Sequence, residues 1–149
     1  AYIKKFGYPR EPSDLAQHFC AVFCGASRAR TKYLQKGAEK RAVIYGKTIT
    51  STDILFLKHI VLQGEALIID LPLGHSALEI KQGKLIPILD GWHRNFEPLW
   101  VVTSENKWKD PKIRVFMKWY AEAWSEELKK AEDSLRTCLN EIFIKEILN

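Results

Sequence analysis

The stretch from Leu85 to Trp124 constrains this chain more than any other part of it. It holds a short apolar run, a polar loop, a second apolar run and then a helix opened by Asp110-Pro111. That pair is an N-cap residue followed by proline at the first helical position, where a missing N–H would have no intrahelical partner anyway. Ile113, Phe116, Met117, Tyr120, Ala121 and Trp124 recur at three- and four-residue spacing, the signature of one face of an α-helix. Leu99-Trp100-Val101-Val102 is a continuous apolar run and predicts a buried strand. A strand feeding a helix that lies back on it closes an α/β layer and carries no chemistry of its own. The pattern points to a ligand-binding or regulatory module rather than an enzyme.

The size agrees with one domain. The chain has 149 residues, 46% of them apolar, enough for a core. No apolar run approaches the roughly twenty residues of a membrane span, so no membrane partner is expected. Ala1 to Gly7 lacks the apolar stretch that follows the charges of a signal peptide, and the expected location is cytoplasmic. Cys20, Cys24 and Cys138 are an odd set that makes no disulfide framework.

The net charge of +5 is uneven. Residues 1–50 carry ten Lys/Arg against three acids, and residues 51–100 carry four against six. The excess lies at Arg28, Arg30, Lys32, Lys36, Lys40, Arg41 and Lys47, with Tyr33 and Tyr45 between them. Such a strip suits a nucleic-acid backbone or an anionic ligand. It also suits a solvated hairpin edge, where cations discourage edge-to-edge pairing.

Along the chain, Ser13-Asp14-Leu15-Ala16 predicts a short capped helix and Phe19 to Phe23 a strand. Tyr33-Leu34 predicts an edge strand turning at Lys36-Gly37, and Ala42 to Thr50 another strand. Thr50-Ser51-Thr52-Asp53 caps a helix from Ile54 to about Leu62, stopped by Gly64. Ala66 to Ile69 reads as a buried strand and His75 to Gln82 as a helix stopped by Gly83. Leu85 to Leu89 reads as an edge strand interrupted by Pro87. The tail, residues 125–149, reads as a separate amphipathic helix through Leu128, Ala131, Leu135, Cys138 and Ile142. It would cover the domain or pair with another subunit.

Three segments carry a resemblance. Tyr2-Ile3 through Gly7, Pro9 and Pro12-Ser13-Asp14-Leu15 is similar to a Tyr-Leu, Gly, Pro, Pro-x-Asp-Leu pattern in LysR-type transcriptional regulators. Gly83-Lys84-Leu85-Ile86-Pro87-Ile88-Leu89 with Trp92 resembles the same family's Gly-x-Leu-Val-x-Val-Leu and Trp. Asp110-Pro111-Lys112-Ile113-Arg114-Val115-Phe116 resembles its closing Pro-Lys-Val-Arg-x-Phe helix. The order is the family's, across roughly residues 1–124. The stretch Gly64 to Pro72 departs from the family, lacking a second glycine and holding one extra residue.

The resemblance implies an α/β fold: a mixed-sheet lobe of a periplasmic-binding-protein-like effector domain, plus a C-terminal amphipathic helix. Residues 1–98 would form the second effector lobe, residues 99–124 the strand and helix returning to the first lobe, and residues 125–149 a helical extension. The implied function is partial: sensing a small, anionic effector such as a carboxylate between two lobes, in a homo-oligomer. DNA would be contacted only through a helix-turn-helix domain outside these residues.

The helix N-terminus at Thr50, Ser51 and Thr52 offers free N–H groups, dipole and hydroxyls to a carboxylate. Family topology sets this end beside Cys24, Gly25 and Ser27. The same residues also serve as plain caps, and Asp53 would repel an anion. Cys20, Cys24 and His18 lack a fourth ligand for a metal. Beside Arg28 and Arg30, Cys24 has the surroundings of a redox thiol. His59, His75 and His93 have no nucleophile partner, and no catalytic, metal or cofactor motif is found. Three functions follow: the effector-domain fragment, a basic nucleic-acid-binding module over residues 28–47, and an enzyme with an unrecognised site.

Overall fold

The structure is a computed structural model that describes residues 2–25, 29–95 and 100–147, with side chains as far as residue 136. It is mixed α/β, and the chain falls into two compact units: Ala1–Pro72 with Gln82–Phe96, and Leu73–Lys81 with Glu97–Asn149.

The first unit is built on a three-stranded parallel sheet in the order β4-β1-β5. Strand β1 (Cys20–Phe23) lies in the middle, with β4 (Thr48–Ser51) on one side and β5 (Leu67–Ile68) on the other. Cys20 pairs with both Thr48 and Leu67. Strand β1 is buried on both faces, which explains its unbroken apolar sequence. Cys20 and Val22 look into a core with Tyr2, Leu15, Leu34, Leu89 and Trp92. Ala21 looks the other way, onto Leu57 and Ala66. Leu57 belongs to α2 (Ile54–Leu62), which carries the chain from β4 across to β5. Asp53 is its N-cap, as the sequence predicts, and Gly64 turns the chain out of it at φ +75°.

The other face of the sheet is covered from four places: α1 (Tyr2–Phe6), a 3-10 turn (Pro12–Gln17), the hairpin of β2 (Tyr33–Lys36) and β3 (Glu39–Ala42), and the turn at Leu89 to Trp92. The hairpin is antiparallel and turns at Gly37, whose φ of +59° suits glycine. His93 makes an isolated bridge with Gln35, each donating its N–H to the other's carbonyl at 2.9 Å.

In the second unit α3 (Leu73–Lys81) packs along α5 (Pro111–Ile147), preceded by the single turn α4 (Glu105–Trp108). Asp110 caps α5 by accepting from the Lys112 N–H at 2.8 Å. Ile113, Met117, Ala121, Leu128 and Ala131 form a half-buried stripe that ends at buried Leu135. Val115, Phe116, Trp119, Tyr120 and Trp124 form an exposed one. Its rings stack at i, i+4: Phe116 on Tyr120 at 5.9 Å and Tyr120 on Trp124 at 6.3 Å.

Several expected elements differ. The predicted strand Ala42 to Thr50 is broken: β3 ends at Ala42 and β4 starts at Thr48. The two belong to different sheets, β3 pairing with β2 and β4 with β1, and between them Gly46 passes close against the Ala16 carbonyl. Leu85 to Leu89 forms no strand. Pro87 has no N–H to give a ladder, and its carbonyl instead accepts from the Tyr8 hydroxyl at 2.9 Å. The predicted strand at Leu99 to Val102 is absent over its described part. Trp100 and Val102 are 78% and 83% exposed, and among the described residues no strand runs beside them. An apolar run becomes a strand only where a neighbour supplies the hydrogen bonds. Leu99 lies outside the described residues. The tail is no separate helix, because α5 runs through Trp124 and Ser125 without a break. Among the described residues no helix is long and apolar enough to cross a membrane.

Candidate functional site

The parallel strands gather the predicted site at their carboxyl ends. The Cys24 N–H donates to the Ser51 carbonyl at 3.1 Å, extending the β1–β4 ladder by one bond. The Ser51 hydroxyl accepts from the Asp53 N–H at 3.0 Å. Gly25 lies over this corner: a Cβ there would meet the Phe23 ring at 3.4 Å and the Thr52 methyl at 3.8 Å. Cys24, Gly25, Ser51 and Thr52 are thus brought together. Thr50 is the preceding residue of β4, and alternation along the strand turns it to the opposite face from Ser51. Ser27 lies outside the described residues.

The helix N-terminus is less open than the sequence suggests. One oxygen of Asp53 accepts from the Leu55 N–H at 2.9 Å and the Phe56 N–H at 3.2 Å. A carboxylate of the chain therefore holds two of the donors an anionic ligand would use. What this corner still offers is hydroxyls, the exposed Cys24 thiol, the exposed Asp53 carboxylate and the apolar surfaces of Leu55 and Phe56. That set suits a neutral or donor-bearing polar group better than a second carboxylate.

A buried polar cluster nearby in the same unit escaped the sequence reading. Asp70, two residues beyond β5 and only 3% exposed, accepts from the Thr31 hydroxyl at 2.7 Å and from the Arg94 guanidinium at 3.0 Å. The Tyr45 hydroxyl donates to the Thr31 carbonyl at 2.9 Å, and Arg30 lies over the Tyr45 ring at 3.8 Å. Burial, then the Asp70 charge, push the Tyr45 phenol up to about 12 against the pull of Arg30. Burial likewise lifts the Cys20 thiol to about 11, so this cysteine is no nucleophile at neutral pH. The signal for the cluster was an acid ending an otherwise apolar run, Leu67-Ile68-Ile69-Asp70.

Part of the basic strip is engaged within its own unit. Arg41 pairs with Glu11 at 2.6 Å and with Glu39, and lies over the Trp92 ring. Lys36 donates to the Asp90 carbonyl at 2.8 Å, and Lys40 lies over the Tyr33 ring at 4.8 Å. Arg28 lies outside the described residues. Among the described residues no group of three or more His, Cys, Asp or Glu side chains is placed to hold a metal.

Compared with known proteins, the chain matches no family model, and no curated protein matches it.

Proposed function

We propose that this chain is part of the effector-binding domain of a LysR-type transcriptional regulator, a sensor rather than an enzyme. The observation that carries the reading is the strand order β4-β1-β5. The chain leaves β1 towards one side of the sheet and leaves β4, through α2, towards the other. In open α/β sheets, ligands bind outside the carboxyl ends of the strands at such a reversal. Here the reversal falls between β1 and β5; Cys24 and Gly25, which follow β1, border it, and Ser51 and Thr52, which follow β4, flank them on the other side. The segments that resemble the family fall in order on the 3-10 turn, on the turn that buries Leu89 and Trp92, and on the start of α5.

The exposed Trp100, Val102 and aromatic stripe of α5 fit the reading too. In a periplasmic-binding-protein-like domain, such a segment belongs against the first lobe. The engagement of Arg30, Lys36 and Arg41 within the unit favours this function over nucleic-acid binding, which needs such cations for phosphates. Contact with DNA would fall to a helix-turn-helix domain of the intact regulator, working as a homo-oligomer.

The test is a thermal-shift screen of small carboxylates, amides and amines, on the wild type and on the double variant Ser51→Ala/Thr52→Val. A ligand at a hundred times its Kd adds about 2.7 kcal/mol of stability, a shift of several degrees. The double variant should lose that shift while keeping the melting point of the free protein. An undiminished shift in the variant removes the site.

A further inference from the structure

The chain passes between the two units three times: after Pro72, after Lys81 and after Phe96. Asp70 stands two residues before the first passage and Arg94 two before the third. These two residues, 24 apart in sequence, are joined by a 3.0 Å ion pair whose acid is 3% exposed. Thr31 adds its hydroxyl at 2.7 Å and is itself buried. We propose that Asp70, with Thr31 and Arg94, is a fixed post that clamps two of the three connecting segments to the carboxyl edge of the parallel sheet.

Neighbouring bonds extend the clamp. His93, next to Arg94, is held to Gln35 of β2 by two backbone bonds of 2.9 Å, and its ring nitrogen Nδ1 lies 2.7 Å from the Arg94 carbonyl. Thr31 follows the loop that leaves the sheet at Cys24 and Gly25. The post therefore ties the start of β2 to both connections at one buried carboxylate. Chain that must bend between two bodies does so beyond such a post, leaving the strand behind it in register. Removing one partner of a buried, hydrogen-bonded charge pair leaves the other charge stranded, so the loss concentrates where the pair sits. The inference holds whether or not an effector binds.

Amide hydrogen exchange on the full chain tests it, with Arg94→Gln, Thr31→Val and, as control, Arg136→Gln, which breaks the exposed pair with Glu132. Arg94→Gln should speed exchange at Ile69, Asp70, Leu71, His93 and Asn95 by about tenfold, the scale of one charge-assisted hydrogen bond. Ala21, Val22 and Phe23 in the sheet centre should keep their rates. Thr31→Val should speed the same five amides by a smaller factor, and Arg136→Gln should speed neither set. Equal acceleration of both sets, or none at the five amides, overturns the proposal. Should Arg94→Gln fail to fold, the same comparison in Thr31→Val decides.

Discussion

Gly46 lies against the carbonyl of Ala16. A Cβ at Gly46 would run into that oxygen, and would stand 2.9 Å from its carbon and 3.1 Å from the His18 carbonyl oxygen. The Gly46 N–H also donates to Leu15 at 3.2 Å, so the two backbones are locked together. Only hydrogen fits between them. Gly46→Ala should destabilise the protein by about 2 kcal/mol or more, because backbone cannot yield as a side chain can. Gly74, in α3 with nothing within 4 Å of its would-be Cβ, should gain about 0.5 kcal/mol on the same change. Urea midpoints at constant slope measure both.

The α2 layer offers a pair of graded losses. Leu57 is fully buried against Ala21 and Ala66. Leu57→Ala should cost about 2–5 kcal/mol. Asp53→Ala strips the cap from Leu55 and Phe56 and should cost about 1 kcal/mol. Equal losses from both would mean that α2 is held by its cap rather than by its packing.

Stability should fall in alkali as Cys20 and Tyr45 lose their protons. Cys20 titrates near 11 and Tyr45 near 12 in the folded state, against 9.0 and 10.0 as ordinary values. Both groups hold their protons longer folded than unfolded. Their stabilisation is therefore complete below pH 9 and is lost as pH rises through 11 and 12. Tyr45→Phe should flatten the upper part of that decline in equilibrium unfolding between pH 8 and 12. At pH 8 a thiol reagent should modify exposed Cys24 while Cys20 remains a thiol.

At the acid end Asp14 acts in the opposite sense. Its carboxylate accepts the N–H groups of Glu11 and Arg10, both at 2.9 Å, and these hold its pKa below the usual value. A depressed carboxylate contributes stability above the unfolded pKa, about 4, and loses it as pH falls further. Asp14→Asn should lower stability at pH 7 and make it less sensitive to acid below pH 4.

Exposed rings on α5 should bind hydrophobic probes. Phe116→Ser/Trp119→Ser should reduce anilinonaphthalene sulfonate fluorescence and change urea stability by less than about 0.5 kcal/mol per site, as expected away from packed contacts.

How much of this was legible in the sequence depended on whether a signal was local. Asp53 before Ile54, Pro111 after Asp110, and Gly37 and Gly64 at positive φ each act within a few residues, and each marked its element correctly. Strand β1 was legible because burial on both faces leaves a continuous apolar run. The failures needed partners that sequence does not place. Trp100-Val101-Val102 reads as a strand but has no ladder to join among the described residues. Ala42 to Thr50 reads as one strand until Gly46 meets Ala16. Of the candidate site, Cys24, Gly25, Ser51 and Thr52 converge as expected. The use of Asp53 to occupy the α2 donors is local but needs the side chain's placement, and the meeting of Thr31, Asp70 and Arg94 depends on contacts 39 and 24 positions apart.

The middle position of β1 sets a timetable for synthesis. Its two neighbours, Thr48–Ser51 and Leu67–Ile68, are made 28 and 47 residues after Cys20. As the chain emerges, a finished apolar ribbon waits with both edges bare until the first of them appears, and with one edge bare until the second. Parallel pairings of this separation form late. The nascent chain is most exposed to aggregation in that interval, and the sheet can close only once Leu67–Ile68 has itself left the ribosome.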